Sequence, residues 1–362
     1  MAQRARTKTA VTIPNVGRQP RSVPAESSIT QADLAKRLAV SQYTISSALT
    51  GSGRVAEVVR DRIRREAERL GYRPHQAARA MRSGRFQRVV LVQADRMRVS
   101  WLPTTLLYAL HHALQSRSAS LEVAIIPQQD FDNEATLPRI LSEHGADGLI
   151  LNYQAQPPAA LLKSLSRHHL PVVWLNQPQE GDTAQPDDTQ AGTLIATHLR
   201  DLGHRKIVYL DFQVAHETTA HISRFERRVG VRTALAGSNC QLVEYCPAAG
   251  SGNPIEWCMK ILADRRITAA IGYGPYETIA LAQAAQRLHI SIPRDLSLAT
   301  IADEAFLAGI PITYGASPII AMAEAAIDLL AARQSDPRRP VRHVKVPYTL
   351  VDGDACQPPL ES

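Results

Sequence analysis

From residue 88 onward the chain alternates between two kinds of segment. Short β-rich runs cover Val89–Gln93, Leu121–Ile126, Gly148–Leu151, Pro171–Leu175, Ile207–Leu210, Gln241–Tyr245, Ala269–Ile271 and Leu296–Ile301. Between them lie segments with Ala and Leu at helical spacing, such as Thr104–Gln115, Gly192–Leu202 and Tyr276–Leu288. A parallel strand pair needs a long return path, and a helix supplies it while covering one face of the sheet. The alternation therefore predicts an α/β body of parallel sheets with helices on both faces. About 270 residues of this rhythm is large for one sheet, which points to two similar lobes. Ligands bind such sheets at the carboxyl ends of strands, where the loops converge.

The segment up to and including residue 88 obeys different rules. It holds 18 of the 41 Lys and Arg but 6 of the 34 Asp and Glu, a net of +12 that leaves the rest of the chain at −5. A small basic module ahead of a slightly acidic body is the footprint of a nucleic-acid-binding head, although a basic patch can also be a solvated face. Residues 1–27 carry Arg4, Arg6, Lys8, Arg18 and Arg21 without any apolar period, and read as a disordered basic tail. Order is expected from Thr30, where Thr30-Gln31-Ala32-Asp33 fits a capping box with Asp in place of the usual Glu. Leu34, Ala35 and Leu38 then give one apolar helical face, which should end near Ala39-Val40. Ser41 is the next N-cap candidate, and Ile45, Ala48 and Leu49 repeat the face. After Gly51-Ser52-Gly53, a third helix is expected from about Glu57 to Leu70 with Gly71 as its C-terminal cap. Two short helices joined by a tight turn and braced by a third make the helix-turn-helix pattern.

Other chemistry finds little support. Cys240, Cys246, Cys258 and Cys356 form no Cys-x-x-Cys pair and read as reduced packing residues. Gly272-Tyr273-Gly274-Pro275-Tyr276-Glu277 has Glu277 where a dinucleotide fingerprint needs its third glycine. His111-His112 and His168-His169 are neighbours on predicted helices and point in different directions, so a shared metal is not expected. No cofactor is expected. No apolar run approaches the ~18 residues of a spanning helix, and the first residues lack a signal-peptide core, which predicts a cytoplasmic protein without a membrane partner.

A recognition helix must offer short polar side chains to base edges from its N-terminal end. Gln42, Tyr43, Ser46 and Ser47 fall on the first turns after Ser41. Asp33-Leu34-Ala35, Val40-Ser41, Thr44-Ile45-Ser46, Arg60, Leu70-Gly71-Tyr72, Pro74 and Ala78 follow one another along the same stretch. On these residues, positions 29–92 bear, without a gap, a resemblance to the head of the lactose-repressor (LacI/GalR) family of bacterial transcription regulators. It continues through His144–Ile150, Leu202–Ile207 and Arg227–Gly230, and covers roughly residues 28–351. The resemblance implies that Gln42 and Tyr43 are the main base-reading residues, with Ser46 and Ser47 beside them. Thr30, Ser41, Thr44 and Arg54 are read as DNA-backbone contacts; local capping remains open for Thr44 and Ser46. The family often has Arg at the position of Ser47. Residues 74–87 resemble the family's hinge helix, which pairs with its twin in the minor groove; Ala78, Arg79 and Met81 are its candidate contacts, with Met81 as the wedge. A plain linker with Met81 packed on the body is the alternative. Ala56 stands where relatives place a Ser or Thr cap, a loss of about 1 kcal/mol.

The resemblance further implies that the body has the periplasmic-binding-protein architecture and closes its two lobes on a small molecule such as a sugar. It places Asp95, Trp101, Asn152, Asn176, Arg227, Tyr276, Glu277 and Asp303 at the cleft. Carboxylates and amides accept sugar hydroxyls, Arg227 donates in a fork, and Trp101 covers a ring face. Several usual residues are replaced: the run before Asp303 is Thr300-Ile301-Ala302, an Asn-Asp pair becomes Tyr276-Glu277, and a later Gln is Ser317. A remodelled pocket is expected. Trp174 sits in an apolar strand and reads as core.

The expected organisation is thus a tail at 1–27, a helix-turn-helix domain at 28–73, a hinge at 74–87, a two-lobed effector-binding and dimerisation domain at 88–352, and a C-terminal tail at 353–362. The expected function is a homodimeric regulator, most often a repressor, that binds a palindromic double-stranded DNA operator under control of a small-molecule effector. A tail without heptads favours a dimer over a tetramer. A solute-binding protein or an α/β enzyme on the same body are the alternatives. The first has no use for an Arg-rich head, and the second lacks a nucleophile or cofactor motif.

Overall fold

The computed structural model describes residues 29–360 apart from 52, 73–85, 96–101, 128, 131–132, 134, 138, 141–144, 154–156, 177–178, 213–220, 248–251 and 304–311. The 1–27 segment, the hinge candidates Ala78, Arg79 and Met81, and Trp101 lie outside the described residues. The chain divides between residues 79 and 80 into two units.

In the first unit, α1 (Gln31–Leu38), α2 (Gln42–Thr50) and α3 (Glu57–Arg69) follow the predicted order. The capping box forms with Asp33: Thr30 Oγ1 accepts from the Asp33 amide at 3.2 Å, and Asp33 Oδ2 accepts from the Thr30 amide at 2.9 Å. The turn into α2 passes through Ala39 in the left-handed region, and Ser41 caps α2 by accepting from the Thr44 amide at 3.0 Å. Helix α3 starts at Ala56 with no side-chain cap, as the sequence indicates. Leu34, Leu38, Ile45, Ala48, Ile63 and Ala67 make one small shared core.

The second unit contains two six-stranded sheets. Lobe 1 has the order β11-β5-β4-β3-β1-β2 and lobe 2 the order β12-β10-β9-β8-β6-β7. The strands of lobe 1 are β1 (Arg88–Ala94), β2 (Ser120–Ile126), β3 (Gly148–Asn152), β4 (Val172–Leu175), β5 (Asp182–Pro186) and β11 (His343–Val346). Lobe 2 contains β6 (Lys206–Leu210), β7 (Gln241–Tyr245), β8 (Ala269–Gly272), β9 (Ser297–Ala302), β10 (Thr313–Ala316) and β12 (Thr349–Val351). Every pairing is parallel except β10 with β12. The helices are α4 (Thr104–Gln115), α5 (Ala159–His168), α6 (Asp188–Asp201), α7 (Ser223–Leu235), α8 (Pro254–Leu262), α9 (Pro275–Arg287) and α10 (Ile319–Ser335). Each sheet is buried between two apolar layers, as doubly covered parallel strands require. Trp174 is 2% exposed within one of those layers. The chain crosses between lobes three times: at 187, where β5 gives way to α6; at 317–318, where β10 gives way to α10; and at 347–348, between β11 and β12.

Two features fix the site. Helices α6 and α7 touch backbone to backbone through Gly192 and Gly230. A Cβ on Gly192 would lie 2.0 Å from the Arg227 carbonyl oxygen, and one on Gly230 would lie 2.0 Å from that of Thr189. Only glycine allows this approach, and it brings the start of α7 against the start of α6. Strand β5 is polar in sequence, Asp-Thr-Ala-Gln-Pro, yet wholly buried. Asp182, 1% exposed, accepts from Arg333, from Arg339 Nη2 at 2.6 Å and from the Arg342 amide at 2.9 Å. That pairing is what lets a carboxylate begin an interior strand.

The C-terminal segment departs from its expected status as a separate tail. The Leu298 amide donates to Ala355 O at 2.9 Å, the Gln357 amide donates to Ser297 Oγ at 3.0 Å, and Ala355 is buried, so residues 355–357 are docked on lobe 2. Buried His204 reads this docking: Nδ1 meets Thr268 Oγ1 at 2.8 Å, and Nε2 lies 3.1 Å from Gln357 O. Among the described residues, no helix is long and apolar enough to cross a membrane and no cluster of metal-ligating side chains occurs.

Candidate nucleic-acid interface and effector cleft

The cap at Ser41 decides what α2 offers. Ser41 and Thr44 hydroxyls lie 2.8 Å apart and the Ser41 oxygen also takes the Thr44 amide, so the two are tied together at the start of the helix with one O–H left over for an outside acceptor. Gln42 and Tyr43 follow on the outer face, with Tyr43 76% exposed. Ser46 is half-buried. Ser47 is 4% exposed and turned toward the loop at Gly53, so it does not face solvent with the other three. Its position beside Ile45 and Ala48 on the packed side of a 3.6-residue turn accounts for this. Arg54 is exposed, whereas the Thr30 hydroxyl donates to Asp33 Oδ2 at 2.7 Å within its cap.

In the body, strand ends and helix starts gather the expected cleft residues unevenly. Asn152 ends β3, fully buried, and Asn176 follows β4 with φ 64°; Asn176 Nδ2 lies 3.4 Å from Asn152 Oδ1. Asp95 follows β1 and is exposed. Asp303 follows β9 in lobe 2 and accepts from Thr105 Oγ1 on α4 of lobe 1 at 2.8 Å, a bond that closes the lobes on one another. Tyr276 and Glu277 separate. Tyr276 is 79% exposed, while Glu277 is buried and accepts from the Gly274 amide at 3.1 Å and from the Phe212 amide at 2.8 Å. Glu277 thus caps α9 and ties down the end of β6. Burial raises its pKa, against the pull of those amides.

Arg227 is the centre of the arrangement. Its Nε donates to Asp188 Oδ1 at 2.7 Å, Nη1 to Tyr273 O at 2.9 Å, and Nη2 to Tyr348 Oη at 3.1 Å. The guanidinium also lies 4.7 Å from the Tyr273 ring centre. These three bonds leave two of the five guanidinium N–H groups for another acceptor. Asp188 is 1% exposed, and a lone carboxylate at that depth would be costly; the pair holds it.

A second chain of bonds runs beside it. The Ser223 amide donates to His221 Nδ1 at 3.2 Å, and Ser223 Oγ lies 2.7 Å from Nδ1 and 2.6 Å from Tyr273 Oη. Nδ1 therefore accepts, and the ring proton sits on Nε2. Nε2 is buried with no hydrogen-bond partner, on a ring close to the Asn176 carbonyl across the cleft. Burial holds the His221 pKa down, leaving a neutral donor at the lobe boundary. Chemically, the cleft can present fixed N–H donors from Arg227 and His221 and amide groups from Asn152 and Asn176 to a polyhydroxylated ligand.

Sequence reasoning missed Asp188, His221, Ser223, Tyr273, Tyr348 and Thr105. Asp187-Asp188 after a polar strand carried a cap signal, and Asp187 Oδ1 does accept from the Gln190 amide at 3.1 Å. Tyr348, far along the chain, carried no signal that linked it to Arg227.

Residues 89–246 match the family described as periplasmic binding proteins and sugar binding domain of the LacI family, and residues 196–356 match the periplasmic binding protein-like domain family. The chain is 27% identical over 197 residues to the maltose regulon regulatory protein MalI of Escherichia coli, a match spanning 53% of this chain and 56% of that protein. It is 24% identical over 287 residues to the transcriptional regulator AscG of the same species, spanning 74% and 80%. Among solved structures, the lac repressor dimer bound to operator and the anti-inducer ONPF superposes with a TM-score of 0.72 at 17% identity, over 91% of this chain and 100% of the other. The two domain matches overlap and together cover residues 89–356, so the body of the chain is a LacI-family periplasmic-binding-like domain, and the chain is similar over most of its length to transcriptional regulators.

Proposed function

We propose that the chain represses transcription by holding a palindromic operator as a homodimer and releasing it when a sugar or related metabolite enters the cleft. The observation that carries the DNA half is the outer face of α2: Gln42 and Tyr43 stand exposed directly after the Ser41 cap. Gln reads adenine in bidentate fashion, and the Tyr ring meets thymine methyl groups. Ser46 and Arg54 flank them as lesser base and phosphate contacts, and residues 74–87 join head to body as the hinge. For the effector half, Arg227, Asn152, Asn176, Asp303 and Asp95 form the polar set, with Asp188 and His221 added by their geometry. Tyr276 and Glu277 stand outside it. The second copy covers the apolar face of lobe 1 where Tyr108 of α4 and Val123 and Ile125 of edge strand β2 are exposed. No catalytic role is assigned to any residue.

Selection of binding sites from random duplex DNA, followed by a thermal-shift screen with sugars, sugar acids and nucleosides and by operator-release assays on the hits, tests this reading. It requires a two-fold symmetric site and at least one hit that changes operator affinity. Failure to enrich any site would refute it.

A further inference from the structure

At the third crossover a side chain is rooted in the connection between the lobes and ends in the cleft. Tyr348 is 4% exposed. Its backbone is gripped from both sides by one amide: the Tyr348 N–H donates to Gln190 Oε1 at 2.9 Å, and Gln190 Nε2 donates to Tyr348 O at 3.3 Å. Its hydroxyl donates to Asp188 Oδ1 at 2.8 Å and accepts from Arg227 Nη2 at 3.1 Å. The neighbouring crossover is bonded to it, because the Asp187 amide donates to Val346 O at 2.8 Å. Two of the three connections between lobes, and the cation at the centre of the cleft, therefore share one phenol oxygen.

We propose that Tyr348 is a positioning residue for effector recognition: its hydroxyl sets the plane of Arg227 and fastens the Asp188–Arg227 pair to the lobe crossover. The inference rests on the cleft being the effector site. Oriented this way, Arg227 presents its two remaining N–H groups in a fixed direction. A ligand oxygen that takes Asp188 or Arg227 competes with the phenol and loosens the crossover, so occupancy is felt where the lobes pivot. The phenol also stands where a ligand hydroxyl would bridge the same two groups, which narrows the ligands that can enter without displacing it.

The test uses the full-length, ligand-free protein, so failure to find an effector would count against the effector reading and not against this one. Amide hydrogen exchange is followed in wild type, Tyr348→Phe and Asp188→Asn. Tyr209→Phe is the control, since the Tyr209 hydroxyl is buried in the same lobe without a hydrogen-bond partner. Tyr348→Phe should speed exchange of the Tyr348 and Asp187 amides about tenfold, the scale of one charge-assisted hydrogen bond, while the β8 and β9 amides stay protected. Asp188→Asn should act in the same direction, and Tyr209→Phe should leave all of them unchanged. On arginine-labelled protein, rotation of the Arg227 guanidinium about its Nε–Cζ bond, slow in wild type, should become fast in Tyr348→Phe and stay slow in Tyr209→Phe. Unchanged exchange at the two crossover amides with unchanged Arg227 rotation, or an equal rise throughout lobe 2, would overturn the proposal.

Discussion

At the scale of single residues, the account turns on charges and rings buried with defined partners. Replacing Arg227 by Ala leaves Asp188 unpaired at depth, and the body should lose about 3–5 kcal/mol in urea unfolding. Removing both partners should cost less than the sum of the single changes, which a double-mutant cycle will show. His204 supplies a pH signature. Burial holds its pKa at about 4, below the 6.5 of an unfolded chain. Between those values the unfolded state takes up a proton that the folded ring refuses. Stability is therefore full above pH 6.5 and falls as pH drops toward 4, by about 3 kcal/mol from this one group. His204→Gln should flatten that part of the stability–pH curve relative to wild type; parallel curves would show that the ring is not responsible. The residues legible in sequence were those whose role is local. Ser41 as a cap, Asp33 in its box and Ala56 without one all follow from neighbours three positions away. Glu277 shows the reverse case: its carboxylate looked available for a ligand, and only the fold brings the Phe212 amide to it.

At the scale of elements, eight of the strands in the body were legible because they are short apolar runs flanked by helical spacing. The four that were not lack such a run: β5 is polar and buried through partners more than 150 residues away, β10 and β11 mix glycine or charged and polar positions into four residues, and β12 has only three residues. The packing of α6 on α7 gives the sharpest element-level prediction. Gly230→Ala puts a methyl group against the Thr189 carbonyl, so the helices must part and the Arg227–Asp188 pair must stretch. Thermal unfolding should show a loss of about 2 kcal/mol or more. In the head, Ala56→Ser supplies the missing acceptor at the start of α3 and should stabilise the helices by about 0.5–1 kcal/mol, read from head-group NMR signals in a urea series.

At the scale of the whole molecule, a head of net charge +12 and a body of −5 divide the work between holding DNA and sensing a small molecule. Binding should weaken steeply with salt, with a slope of about 0.9 for each phosphate neutralised. The most direct measurement is a fluorescence-anisotropy titration at fixed moderate salt. Full-length wild type and the variants Gln42→Ala and Tyr43→Ala are titrated against the selected operator and a scrambled duplex. Each substitution should weaken operator binding roughly 5- to 100-fold and leave scrambled-duplex binding nearly unchanged. Variants that hold the operator as tightly as wild type would contradict the assignment of α2 as the element that reads DNA.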